Sequence, residues 1–208
     1  FMGINIEKIE ANVKKYLDEK RYEHVKRVVK CAEELAQIYS VDIEKTKASA
    51  LLHDVAKFFE LSTMQELIKG KYPEVKDENS TAILHGFAGA EFIRKNYELF
   101  EIDDEEILDG VKYHTIGSKN MSKLAKIVYL ADAIEEGRTW GGVEMARELS
   151  KIDLDGALKY EIDTKLIYLI NVAFLVLVFL IGVKRLGAQR WIDLKIIVIQ
   201  PSEFAKLF

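Results

Sequence analysis

Residues 49–59 read SALLHDVAKFF, a stretch in which two polar side chains lie in an apolar helical pattern. His53 and Asp54 interrupt a run in which Leu52 and Val55 suit a buried helix. Burial of an unpaired carboxylate among such neighbours would cost several kcal/mol. The pattern therefore predicts a core helix whose polar pair is compensated by groups elsewhere in the chain.

A bound metal ion is one way to compensate this pair. Adjacent side chains on a helix diverge by about 100°, so one ion reaches both only through longer contacts or near a helix end. Asp132 is a second isolated carboxylate, because KIVYLADAIEE at residues 126–136 surrounds it with apolar side chains. A salt bridge to Lys or Arg is the alternative for Asp132. We favour a metal because imidazole and carboxylate together suit divalent Fe, Mn, Ni or Zn.

The rest of the chain repeats apolar residues at helical spacing, as at Ile6 and Ile9, and contains only two prolines. This pattern predicts an all-α fold with a break near Gly70 and Pro73. Helices are expected at residues 5–19, 22–39, 42–57, 62–69, 80–97, 103–114, 121–136, 142–150 and from 155 onward. Helix starts are expected at three polar residues: Asp42, Ser62 and Asp104.

Composition limits the classes of function. The 208 residues suit one domain with a core, and the net charge of −4 with 31% charged residues is ordinary for a globular protein. We find no Lys/Arg block of the kind that binds nucleic acid, so no nucleic-acid partner is expected. Cys31, the single cysteine, is interpreted as a small core residue. It excludes an intrachain disulfide, and without a recognisable signal peptide we expect a cytoplasmic location.

The composition changes near residue 167. Residues 167–183 read IYLINVAFLVLVFLIGV, in which Asn171 is the one strongly polar side chain. About 17 to 20 apolar residues can span a bilayer, while shorter runs are more often buried helices, and both alternatives stay open. GAQRWIDL and a strand-like KIIVIQP follow. We therefore expect a domain at residues 1–168 and a tail at 169–208, formed by an apolar C-terminal helix and a short irregular segment.

Several segments carry a resemblance to a known family. The order His24, His53-Asp54, Asp132 resembles the H…HD…D pattern of HD-superfamily phosphohydrolases. RYEHVKRV, LLHDVAKF, LHGFAGAEF and the stretch from residue 107 to 138 are similar to the bacterial YqeK family. The resemblance covers about residues 5–170, and its most specific part is YHT followed by YLADAIEEGR.

This resemblance implies an HD-domain helical bundle that hydrolyses diadenosine tetraphosphate symmetrically to two ADP by metal-activated water. It implies one or two divalent ions, with iron expected and Mn, Ni or Zn as alternatives. The implied metal ligands are His24, His53, Asp54 and Asp132. The implied catalytic residues are Asp54, His85 and His114. The implied substrate-binding residues are Arg21, Lys57, His85, His114, Thr115 and Arg138.

Other interpretations remain open at this point. Lys57 is almost equally well explained as a solvated surface lysine. An HD-type nucleotidase or alarmone phosphohydrolase, and a non-catalytic adenine-nucleotide sensor, are the alternative functions. The expected partner is a dinucleoside polyphosphate or ADP, and a homodimer is left open.

The tail from about residue 171 to 208 resembles a fragment of the RodA/FtsW membrane family, through its GAQRWI and QPSEFAK segments. We do not transfer polymerase activity, because one or two membrane segments cannot form such a site. A fusion remnant and a membrane anchor are both open. Where the YqeK family continues with residues that close the nucleotide site, this chain has its apolar run, so substrate contacts from that segment are not expected.

Overall fold

The computed structural model describes residues 3–181, 183–185, 188–193 and 198–199, with side chains described up to residue 177. The described part of the chain contains ten α-helices and a short 3₁₀ turn at Pro73–Val75. The helices are α1 Ile6–Val13, α2 Glu19–Ile38, α3 Ile43–Leu52, α4 Leu61–Ile68, α5 Thr81–Lys95, α6 Tyr97–Phe100, α7 Glu105–Tyr113, α8 Lys123–Ile134, α9 Val143–Ser150 and α10 Leu154–Ile181. The predicted all-α domain is confirmed.

Helix α8 lies at the centre of the bundle. Its side chains from Leu124 to Ala131 are buried on almost every side, apart from Lys126. Helices α2, α7 and α10 pack around it, and α3 packs between α2 and α7. Helix α2 turns one stripe inward, with Val25, Val28 and Ala32 at the i, i+3, i+7 spacing of an amphipathic helix. The polar residue Asp132 therefore projects from the most enclosed helix of the domain.

Helix α3 ends at Leu52, so the predicted helix at 42–57 was wrong at its C-terminal end. Residues 53–58 form successive tight turns, with Val55 N donating to Leu52 O at 3.0 Å and Lys57 N to Asp54 O at 2.9 Å. These turns are tighter than an α-helix and change the directions of successive side chains. His53 and Asp54 consequently lie at a helix end, where both can face one centre.

Other helix boundaries also differ from the prediction for local reasons. Helix α1 stops at Val13 rather than near 19, and the next helix begins at Glu19, where Asp18 caps it by accepting a hydrogen bond from Arg21 N at 2.7 Å. Asn96 separates α5 from α6, its side-chain amide donating to Phe92 O at 2.8 Å.

Two of the three expected helix starts are confirmed. Asp42 accepts from Lys45 N at 3.0 Å, and Asp104 accepts from Glu106 N at 2.9 Å. The third expectation was wrong, since α4 already begins at Leu61 and Ser62 lies inside it. Helix α4 has no side-chain hydrogen bond at its N-cap, so the usual capping signal is missing there.

The apolar C-terminal helix is present as α10. Its first turns pack into the core through Leu154, Ala157 and Leu158, whereas most side chains from Ile162 to Leu177 are exposed. Among the residues whose side chains are described, no helix is both long and apolar enough to cross a membrane. Residues 178–183, the last part of the predicted apolar run, lie beyond the residues whose side chains are described. The proposed boundary at 168/169 stays a prediction.

Part of the tail beyond α10 forms short strands. They are β1 Val183–Arg185, β2 Ala188–Asp193 and β3 Val198–Ile199. Strand β2 pairs antiparallel with both neighbours, opposite β1 through Lys184 and Gln189 and opposite β3 through Ile192 and Ile199. Most of KIIVIQP, like the QPSEFAK segment, lies outside the described residues.

Candidate metal centre

Histidine and aspartate side chains from separate helices converge beside α8. One histidine comes from α2, one from α5 and one from just beyond the end of α7, while the His-Asp pair follows α3 and one aspartate comes from α8. All are buried except the last, which is half-buried. Together they form what we call the ligand cluster: His24, His53, Asp54, His85, His114 and Asp132.

One half of the ligand cluster consists of His24, His53 and Asp132, whose potential ligand atoms lie within 4.8 Å of one another. His24 Nε2 is 3.0 Å from Asp132 Oδ1. Nevertheless, the buried Nε2 atoms of His24 and His53 make no hydrogen bond to any described residue. An unsatisfied buried polar atom costs about 1–3 kcal/mol. A divalent cation fits this arrangement, because it would be bound by the two imidazole nitrogens and the carboxylate.

The carboxylate of Asp54 lies at the middle of the cluster and has two distinct sides. Its Oδ1 is 3.1 Å from His85 Nε2 and 3.7 Å from His114 Nε2, and we call this the His85 side. Its Oδ2 is 3.0 Å from Arg21 Nη1 and 3.3 Å from His53 Nε2, and we call this the Arg21 side. His53, Asp54 and His114 also form a possible ligand set of their own.

Backbone contacts orient three of the imidazole rings. His53, His85 and His114 each direct Nδ1 to a carbonyl oxygen three or four residues earlier, at 2.7, 3.1 and 2.7 Å. A carbonyl oxygen can only accept, so Nδ1 donates the proton and Nε2 faces the cluster. This tautomer is the one that leaves Nε2 available to a metal.

His24 is oriented differently, by a carboxylate. Its Nδ1 lies 3.1 Å from Glu135 Oε1, and Glu135 in turn accepts from Arg27 Nε and Gly137 N, both at 2.6 Å. A carboxylate behind a ligating histidine fixes the ring and raises its basicity. Glu135 and Arg27 were not predicted from the sequence, although Glu135 follows Asp132 by three residues and so lies near the same helix face.

Charge within the ligand cluster shifts several pKa values. Burial alone would raise the pKa of Asp54, but the adjoining imidazoles, above all His53, lower it well below its usual range. Asp132 behaves in the same way, with its pKa lowered chiefly by His24 and His53 against the effect of burial. Burial and the nearby imidazoles of His85 and His53 lower the pKa of His114 to about 3. The cluster therefore combines anionic carboxylates with a neutral His114.

The residues predicted to bind substrate border the ligand cluster. Arg138 Nη2 is 2.6 Å from Asp132 Oδ1, and its Nε donates to the Asp132 backbone oxygen at 2.7 Å. Lys57 Nζ is 3.4 Å from His85 Nε2, so it lies beside the cluster rather than in open solvent. Thr115 Oγ1 is 3.0 Å from His114 Nε2. Their roles, like those of the predicted ligands, stay predictions.

Cys31 takes no part in this centre. It packs against the core, and burial, reinforced by the charge of Glu34, raises the pKa of its thiol to about 12. The thiol is therefore protonated at neutral pH, which disfavours a nucleophilic role.

Comparison with known proteins identifies the family. Residues 21–137, more than half of the chain, match the HD domain family, and this range includes the whole ligand cluster. The chain belongs to the HD-domain family. The predicted HD-type metal site is thereby supported at the level of a divalent metal, while the identity of the ion stays a prediction.

Two relatives show which HD proteins this chain resembles. A symmetrical bis(5'-nucleosyl)-tetraphosphatase of Halalkalibacterium halodurans is 40% identical over 151 residues, which cover 70% of this chain and 77% of that protein. A protein of the same name from Bacillus subtilis is 34% identical over 169 residues, or 81% of this chain and 89% of that protein. The predicted YqeK-type resemblance is confirmed.

A solved structure agrees on the fold. The crystal structure of a predicted HD superfamily hydrolase involved in NAD metabolism, from Clostridium acetobutylicum, superimposes with a TM-score of 0.74 at 35% identity. The match covers 83% of this HD chain and 90% of that one.

A second family matches the C-terminal part of the chain. Residues 138–208 match a cell cycle protein family of the FtsW/RodA/SpoVE type, which agrees with the resemblance seen in the tail. That match begins inside the packed domain, since Val143, Ala146, Leu154 and Ala157 are all buried in the core. Packing therefore assigns residues up to at least Leu158 to the HD domain.

Proposed function

We propose that this protein hydrolyses diadenosine tetraphosphate symmetrically, releasing two ADP. The observation that carries the proposal is the ligand cluster itself, in which the unpartnered Nε2 atoms of His24 and His53 face Asp132. Relatives that are 34–40% identical bear the name symmetrical bis(5'-nucleosyl)-tetraphosphatase, which favours this substrate over the nucleotidase and alarmone alternatives.

His24, His53, Asp54 and Asp132 would hold the divalent ion, and we propose iron, with Mn, Ni or Zn as alternatives. Imidazole-rich sites with carboxylates suit these ions, whereas Mg and Ca prefer oxygen ligands alone. When bound, such an ion polarises a phosphoryl oxygen and lowers the pKa of a water molecule to near neutrality.

His85 and His114 form a pair of imidazoles suited to proton transfer. Their Nε2 atoms are 2.9 Å apart, and both Nδ1 atoms already donate to carbonyl oxygens. Two lone pairs at this distance repel, so a proton or a cation lies between them. A carboxylate oxygen accepts a hydrogen bond from a protonated imidazole, and Asp54 Oδ1 lies 3.1 Å from His85 Nε2. We propose that His85 donates this proton to the departing ADP oxygen.

The flanking cations neutralise the polyphosphate. Arg21 and Arg138 lie on one side of the cluster and Lys57 on the other, each within about 4 Å of a cluster carboxylate. Preorganised positive charge of this kind stabilises the negative charge that develops on a leaving phosphate. The arrangement suits a substrate with phosphate groups on both sides of the bond that breaks.

Metal depletion and reconstitution test the proposal. The purified protein is stripped with a chelator and assayed with diadenosine tetraphosphate before and after addition of ferrous, manganese or nickel ions. ADP release should disappear on stripping and return with at least one of these ions. Full turnover by a protein shown to contain no metal would contradict the proposal.

A further inference from the structure

A second feature of the HD domain adjoins the ligand cluster on its Arg21 side. A cavity of about 370 Å³ opens there, and its walls include His24 of the cluster together with Arg21 and Arg138. The size lies within the range of small-molecule pockets, about 300–1,000 Å³. The cavity is thus continuous with the proposed site of hydrolysis.

Symmetrical cleavage makes a geometric demand on the protein. The bond that breaks joins the two central phosphates, so equal halves of the substrate extend in opposite directions from the ligand cluster. On the His85 side, Lys57 and Thr115 border the cluster. On the Arg21 side, the cavity is the space into which the other half can extend, and Lys20 adds a further cation to its wall.

Phe58 gives this cavity an aromatic wall. It lies in the turns that follow the His53-Asp54 pair, and 53% of it is exposed although the ring is large and apolar. The neighbouring Phe59 ring instead packs on Phe92, with centroids 5.0 Å apart. A single exposed apolar side chain is common on protein surfaces. Phe58, however, lines a cation-rich cavity, where an aromatic face can stack on a nucleobase.

We propose that this cavity binds the second ADP half of the dinucleoside tetraphosphate, with Phe58 stacking on the purine ring. Arg21 and Arg138 flank the phosphates of that half, and Lys20 lies at the cavity wall. The inference rests on the proposed function and adds to it a determinant of substrate length: a dinucleotide is preferred because both of its ends are held.

Kinetics of the metal-loaded Phe58→Ala protein test this role. Loss of one base-aromatic stacking contact should lower kcat/KM for diadenosine tetraphosphate by at least about fivefold. The inhibition constant of inorganic tetraphosphate, which has the phosphates but no base, should remain unchanged. Phe58→Tyr should retain wild-type kinetics and Phe58→Leu should resemble Phe58→Ala, because only tyrosine keeps the aromatic face.

A matched control is Tyr97→Ala, which removes another half-exposed aromatic ring, in α6, that is not part of the cavity wall. This control should leave kcat/KM unchanged. An unchanged kcat/KM in Phe58→Ala would overturn the inference while leaving the proposed function intact. An equal weakening of inorganic tetraphosphate would also overturn it, since Phe58 would then support the phosphate site. Absence of turnover by the wild-type protein would instead overturn the proposed function, and the inference with it.

Discussion

Asp54 and Glu91 are both buried carboxylates, each with 3% of its side chain exposed, but their surroundings differ in kind. Glu91 accepts hydrogen bonds from Tyr72, at 2.6 Å, and from Lys71, and Arg94 Nε lies 3.5 Å away. Asp54 faces imidazoles on both of its oxygens, with Arg21 as an additional partner. Both carboxyl groups have lowered pKa values, so neither burial nor charge distinguishes them.

The two carboxylates differ in whether the polar atoms around them have hydrogen-bond partners. Around Glu91, hydrogen bonds from Tyr72 and Lys71 satisfy the carboxylate and tie α5 to the segment after α4. Around Asp54, the Nε2 atom of His53 has no hydrogen-bond partner among the described residues, and neither does that of His24. A buried charge with a complete set of donors is structural, whereas one surrounded by unused ligand atoms indicates a cation site.

The largest effect is expected for Asp54→Asn. The amide removes a ligand charge from the centre of the cluster, so turnover should fall by at least about 100-fold and bound metal should be lost. The metal-free protein should also lose stability, because the lowered pKa of Asp54 means that the neighbouring imidazoles stabilise its ionised form in the folded state. Metal analysis, kcat/KM and urea unfolding check this, and retention of both metal and turnover would show that Asp54 is not a ligand.

A smaller effect on the same centre is expected for Glu135→Gln. The carboxylate that orients His24 becomes a neutral amide, which should weaken metal affinity about 10- to 100-fold in chelator competition. Glu136→Gln is the matched control, because the Glu136 side chain is 64% exposed and forms an ion pair with Lys30 at 3.5 Å on the surface. Equal metal affinities in the two variants would show that Glu135 does not support metal binding by His24.

Glu91→Gln should lower stability without affecting the metal centre, in contrast to Asp54→Asn. Its ion pairs with partly exposed Lys71 and Arg94 are lost, so the free energy of unfolding should fall by about 1–2 kcal/mol. Metal content and kcat/KM should remain at wild-type values. Urea denaturation measures the first quantity, and loss of metal in this variant would contradict the distinction between the two carboxylates.

The smallest expected effect is a pH dependence of stability. Burial opposes ionisation of Glu91, but Lys71 and Tyr72 lower its pKa below the ordinary value of 4.5. The stabilisation is therefore present above pH 4.5 and is lost as the pH falls through the lower folded-state pKa. The stability difference between wild type and Glu91→Gln should shrink as the pH is lowered from 7 to 3, and a constant difference would contradict this assignment.

Much of the fold was predictable because helical periodicity and core composition are local properties of the sequence. The end of α3 was not, since SALLHDVAKFF continues the apolar pattern beyond Leu52 and only the tertiary contacts of His53 and Asp54 show where the helix stops. Boundaries that depend on such contacts are beyond what periodicity can indicate.

The ligand cluster was predictable in outline because isolated His and Asp residues in apolar segments are conspicuous. The residues that orient the cluster from outside it were not predictable. Glu135 and Glu136 are adjacent and identical, yet the first is 2% exposed and contacts His24, while the second faces solvent. Phe58 and Phe59 differ in a similar way, since Phe58 lines a cavity and Phe59 packs against the core. Which member of each pair faces inward depends on the packing of helices distant in sequence.

Product analysis with metal-loaded protein and diadenosine tetraphosphate distinguishes symmetrical from asymmetrical cleavage. Chromatography of the reaction mixture should show ADP as the sole nucleotide product, because the ligand cluster lies between the two proposed phosphate-binding sides. Formation of AMP together with ATP would contradict this account, since it would place the broken bond away from the centre of the substrate.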